Sequence, residues 1–196
     1  MKHLKTILII CITAILSFGL GSYMTKTNLT NQINQDFWAL EQQPAIETVL
    51  LSIEDVASLE GEPNYEMLFN LQADLINLSL QIQTAREQVL VDKQTLQGTA
   101  NQFKVLEVRL SLTDRLASRG DLLELKAHRE NFISTHGQAY QKLLDLRENF
   151  DVENIDFIIL TYTDVISVLE YRLGLLQEAH TLMVELNTRL LHYIES

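Results

Sequence analysis

LASRGDLLEL, residues 116–125, decides how this chain folds, because two long apolar stripes meet there. The triplet Arg119-Gly120-Asp121 is either a receptor ligand or a turn between two helices, and the flanking stripes favour the turn. Gly120 offers the permissive backbone that ends one helix, and Asp121 can cap the next. Upstream, with Leu68 as position a of a heptad, the a residues are Leu68, Leu75, Ile82, Val89, Leu96, Phe103 and Leu110, all apolar. The d residues are Leu71, Leu78, Ala85, Asp92, Thr99, Leu106 and Thr113. This repeat predicts one helix from about Tyr65 to Ser118, roughly 80 Å long at about 1.5 Å per residue. A helix of that length with a narrow apolar seam needs a partner helix.

Beyond Gly120 a second stripe runs through Leu122, Leu125, Phe132, Ala139, Leu143, Leu146 and Phe150, with Arg129 and His136 on the same seam. A third begins near Asp151, whose neighbourhood Asp151-Val152-Glu153-Asn154 suits a helix cap. Its seam continues from Ile155 to Tyr193 and is interrupted only by Arg172. Folding back at Gly120 brings Asp92 near Arg147 and Glu148, so an Asp92–Arg147 pair would fix the register of the hairpin. Asp92, Arg129, His136, Arg147 and Arg172 are therefore the polar seam and register positions. Arg119, Gly120 and Asp121 form the expected tip and the first place to look for a partner contact.

Composition agrees with an all-α fold, since only seven glycines and two prolines punctuate 196 residues. The formal net charge of −11 disfavours nucleic-acid binding, because an acidic surface repels phosphate backbones. The only cysteine, Cys11, excludes an intrachain disulfide. It lies in the N-terminal segment, where Lys2 and Lys5 precede an apolar run from Thr6 to Tyr23. Ile10 occupies the position where a lipidation motif needs a small residue. Residues 1–24 thus form a signal anchor or a signal peptide, with residues 4–23 as the membrane contact. The positive-inside bias keeps the lysines cytoplasmic and puts the bulk of the chain in the periplasm, anchored, or exported after cleavage. A helical segment over 25–60 and a loop at 61–64 follow, the latter marked by Gly61 and Pro63. Residues 65–196 form an elongated antiparallel coiled-coil hairpin or helical bundle.

No P-loop, nucleophile elbow, dinucleotide fingerprint or paired metal motif occurs, and the five histidines lack metal-ligand spacing. Glu124 and His128 share a helical face but have no matching second pair. No catalytic, metal-binding or cofactor residue is nominated, no small-molecule substrate is evident, and the chain is read as non-enzymatic.

Residues 28–56, NLTNQINQDFWALEQQPAIETVLLSIEDV, resemble the opening helix of TolC-like outer-membrane efflux proteins. Residues 71–150 resemble the helical hairpin of that family. The two stretches cover a little over half of the chain. The resemblance implies a transport or efflux setting, with the turn at Gly120 at the periplasmic tip. The family's barrel strands have no room between Glu60 and Tyr65, and the chain holds about one structural repeat, so no functional residue is carried over. The expected function is an envelope scaffold or accessory subunit that pairs with other helical proteins or with itself. A TolC-like channel subunit and a periplasmic helical-bundle sensor module are the alternatives.

Overall fold

The computed structural model describes residues 29–34, 45–106 and 110–196. The membrane or signal helix expected over 1–24 lies outside them. Among the described residues the fold is all-α, without strands. Residues 29–34 are helical. A 3-10 turn, Ile46–Val49, and a short helix α1, Ile53–Ala57, lead into three long helices: α2 (Tyr65–Val105), α3 (Leu112–Glu148) and α4 (Ile155–Glu195). No helix among the described residues is long and apolar enough to cross a membrane.

Local chemistry sets these boundaries. The Ser52 hydroxyl accepts from the Asp55 N–H while the Asp55 carboxylate accepts from the Ser52 N–H, a capping box that starts α1. This cap breaks the described end of the expected 25–60 helical segment, residues 45–60, into the 3-10 turn and α1. The loop at 61–64 is present. Gly61 sits at φ 98°, where a side chain would be strained, and Asn64 enters α2 from the left-handed region at φ 71°. Asp151 accepts from the Glu153 N–H and opens the single 3-10 turn before α4.

The turn expected at Gly120 is not there. α2 stops at Val105, Leu106 becomes extended, and α3 starts at Leu112. Arg119, Gly120 and Asp121 lie inside α3, about two turns from its beginning. The physical reason is a stronger local signal six to nine residues before Gly120, in Ser111-Leu112-Thr113-Asp114. The Ser111 hydroxyl accepts from the Asp114 N–H at 3.1 Å and donates to the Asp114 carboxylate at 2.6 Å. Tyr193 locks this start, accepting from the Ser111 N–H and donating to Asp114. These bonds hold the Asp114 carboxyl below the usual carboxylate range, through Ser111 first and Tyr193 second. Within α3 one glycine costs only about 1 kcal/mol relative to alanine, too little to break a helix that buries Leu122 and Leu125 beside it.

The pairing of helices also differs from a simple hairpin. Contacts between α2 and α4 rise together along both chains, from Asn64–Asp156 through Gln72–Tyr162 to Asp92–His180, so these helices are parallel. Contacts between α3 and α4 run in opposite senses, from Asp114–Tyr193 through Asp121–Arg189 to Lys142–Asp164. α4 is thus the helix against which both others pack. It carries the most continuous apolar seam, buried from Ile155 to Leu190. All a residues of α2 from Leu68 to Phe103 are buried against it. Tyr162, fully buried, accepts from the Leu51 N–H and donates to Gln72, which in turn donates to the Leu51 carbonyl. Burial pushes its phenol up to about 12, so it stays a donor. This triangle ties the segment before α1 to α2 and α4.

Candidate functional site

The polar seam residues are distributed differently from the hairpin expectation. Asp92 does not meet Arg147. Its Oδ2 lies 2.6 Å from His180 Nδ1, and its Oδ1 accepts from Gln88. Arg147 sits at the opposite end and donates to the Thr48 carbonyl at 2.6 Å, fastening the 3-10 turn to α3. The cause is where the chain reverses, since moving the reversal from Gly120 to between Val105 and Leu112 shifts every residue pair that a fold-back would create. Arg129 is half-buried on α3. Asp121 is not a cap; it accepts from Arg189 at 2.6 Å, and Ser118 accepts from the same guanidinium at 3.1 Å, bridging α3 to α4. Arg119 and Gly120 face outward. His128 lies between Glu124 and Glu178, at 3.7 and 3.4 Å. Among the described residues no group of three or more ligating side chains is placed to hold a metal ion.

Two of the seam residues do converge. His136 of α3 and Arg172 of α4 line a cleft of about 370 Å³ between the three long helices, together with Ile46, Ile82, Arg86 and Phe132. Arg172 is 2% exposed, lies over the Phe132 ring at 4.0 Å and donates to the Phe132 carbonyl at 2.6 Å. Burial lowers its pKa to about 10, which leaves it charged at neutral pH. His136 is buried, and its Nε2 has no hydrogen-bond partner among the described residues. Burial, then the charges of Arg172 and Arg86, lowers its pKa to about 4. The imidazole is therefore neutral at pH 7 and a weak base. Glu47 and Glu87 complete the charged part of the lining.

The outer surfaces carry the second kind of candidate site. On α2, Phe69, Ile76 and Leu80 are exposed at i, i+7, i+11 spacing, with Ala73 between them, so they form one strip away from the core seam. On α3, Leu112, Leu116 and Leu123 have the i, i+4, i+11 spacing and are each more than 60% exposed. Gly120 and Ala127 continue this second strip, and nothing lies within 4 Å of a methyl group built on Gly120. Sequence reasoning missed both strips, because the heptads drew attention to the inward seam alone. Their signal was present as large apolar residues at helical spacing outside the a and d positions. None of the family models, curated proteins or solved structures compared with this chain matches it.

Proposed function

We propose that this chain is a non-enzymatic coiled-coil or helical-bundle protein of the cell envelope, held to the membrane by residues 4–23. Its bulk lies on the periplasmic side, where it acts as a scaffold or accessory subunit of a membrane assembly. The resemblance of residues 28–56 and 71–150 to TolC-like proteins supports a transport or efflux setting. The observation that carries the reading is the outer strip of α2. Phe69 and Leu80 leave more than half of their surface to solvent, and with Ile76 they present the periodic apolar face that a further helix covers.

A photocrosslinking residue at Leu80, in the full chain in native membranes, is expected to give a discrete product, weakened at least severalfold by Phe69→Ser. The same residue at exposed Gln138 on α3 is expected to give none. A product near twice the 22.5 kDa chain mass reads as self-association, and any other discrete mass as a different helical partner. Equal yields at Leu80 and Gln138 would overturn the proposal.

The cleft supports a second reading, a periplasmic helical-bundle sensor module. Its volume falls within the roughly 300–1,000 Å³ typical of ligand pockets, and His136 presents a buried, unpartnered nitrogen there.

A further inference from the structure

The structure places the chain's entry into the bundle at one particular end. The described segment 29–34 docks on the last turns of α2: Asn34 donates to Asn101, and Gln97 donates to the Ile33 carbonyl. Leu29, Thr30 and Ile33 are buried there. Gln97 and Asn101 lie about 6–12 Å along the helix from Val105, the last residue of α2. Only residues 24–28 separate the apolar run ending at Tyr23 from this docked segment, a tether of at most about 20 Å even when fully extended. If residues 4–23 lie in a bilayer, the end of the bundle holding Val105 and Leu112 lies beside the lipid.

Two independent features of that end fit such a neighbour. The first is exposed apolar surface: Val105 is 84% exposed, Leu112 66% and Leu116 63%. The second is charge. Dividing the bundle across the middle of its long helices, the half containing this end (residues 86–106, 110–130 and 175–196) has eight Lys or Arg against nine Asp or Glu. The other half (residues 45–85 and 131–174) has three against fourteen. Nearly all of the excess negative charge is thus held at the far end, where an anionic membrane surface repels it least. The same polarity lets the near-neutral end approach without that repulsion.

We infer that Val105, Leu112 and Leu116 form a lipid-contacting surface, so the bundle stands on the bilayer with its 106–111 end down and its acidic end outward. This rests on the membrane-anchor reading above, and it names the surface and the partner that the anchor brings together. Exposed leucines beside a bilayer are favoured to enter its interfacial region, as apolar residues of interfacial helices do.

The test uses the full chain carrying Cys11→Ser in vesicles of phosphatidylethanolamine and phosphatidylglycerol containing spin-labelled lipid headgroups. Bimane is attached at Thr113→Cys or, as the far-end control, at Glu153→Cys. Both positions are exposed. Quenching at 113 is expected to exceed that at 153 at least severalfold, and adding Leu116→Glu is expected to reduce the quenching at 113 at least twofold. Equal quenching at 113 and 153 in chains that float with the vesicles after alkaline washing would overturn the orientation while leaving the anchor intact. Strong quenching at 113 that Leu116→Glu does not change would overturn the lipid contact and assign the proximity to the tether alone. Failure to float would remove the anchor reading and this inference with it.

Discussion

Replacing Gly120 by proline is expected to destabilise the protein by about 3 kcal/mol or more, whereas Gly120→Ala is expected to stabilise it by roughly 0.5–1 kcal/mol. Both signs follow from the position of Gly120 inside α3 with no positive φ. Proline removes the N–H of residue 120 from the helical ladder, and its ring strikes the Leu116 carbonyl one turn earlier. Alanine gains the helix propensity that glycine lacks, and its methyl group enters open space. A turn at Gly120 reverses the alanine result, since a left-handed glycine is strained by any side chain. Denaturant unfolding of the two variants therefore reads the local backbone directly, and a destabilised Gly120→Ala protein would contradict a continuous α3.

Acidification is expected to remove roughly 3 kcal/mol of stability through His136 alone. Its folded pKa of about 4 lies below the ordinary value of 6.5, so the unfolded chain binds the proton more readily. The contribution is complete above pH 6.5 and is lost as pH falls towards about 4. The charged groups around the ring are Arg172 on α4 and Arg86 on α2, with Glu87 of α2 and Glu47 of the 3-10 turn lining the same cleft. Both guanidiniums oppose a second positive charge. Asp114 adds a separate loss at lower pH, because its carboxyl is held below 3.8 and its contribution disappears only on protonation. The difference between the wild type and His136→Leu isolates the imidazole. Unfolding free energies measured from pH 7 to pH 4 are expected to fall about 3 kcal/mol further in the wild type. Parallel curves would show that His136 is not held neutral by the fold.

The inward faces of the long helices were legible in the sequence because burial repeats with the helix. The a residues Leu68 to Phe103 are buried, and so are Leu122, Leu125, Phe132 and Leu143 on α3 and the seam of α4 from Ile155 to Leu190. The turn was misplaced because Leu110 keeps the heptad in phase: it is buried although it lies outside any helix, so the stripe runs on across the break. Ser111 and Asp114 carried the true start in a capping pattern that reads as ordinary surface within a stripe. Partner identity was not legible, because periodicity defines a face without saying which helix covers it. Asp92 was recognised as a polar seam residue, yet its partner His180 sits 88 residues away on a parallel helix. The cleft was likewise hidden. His136 and Arg172 stood out singly as interruptions of two seams, and only the pairing of α3 with α4 brings them to one wall.

The arrangement of the three helices is tested most directly by a distance across the bundle. With Cys11 replaced by serine, nitroxide labels at the exposed positions Gln94 and Glu148 lie near each other if the chain folds back at Gly120. With the chain reversing between Val105 and Leu112 and α4 parallel to α2, they lie about 25 residues of helix apart along the bundle, or roughly 37 Å. Double electron–electron resonance is expected to give a distribution centred near that longer distance. A distribution centred below about 20 Å would contradict the arrangement and restore the hairpin at Gly120.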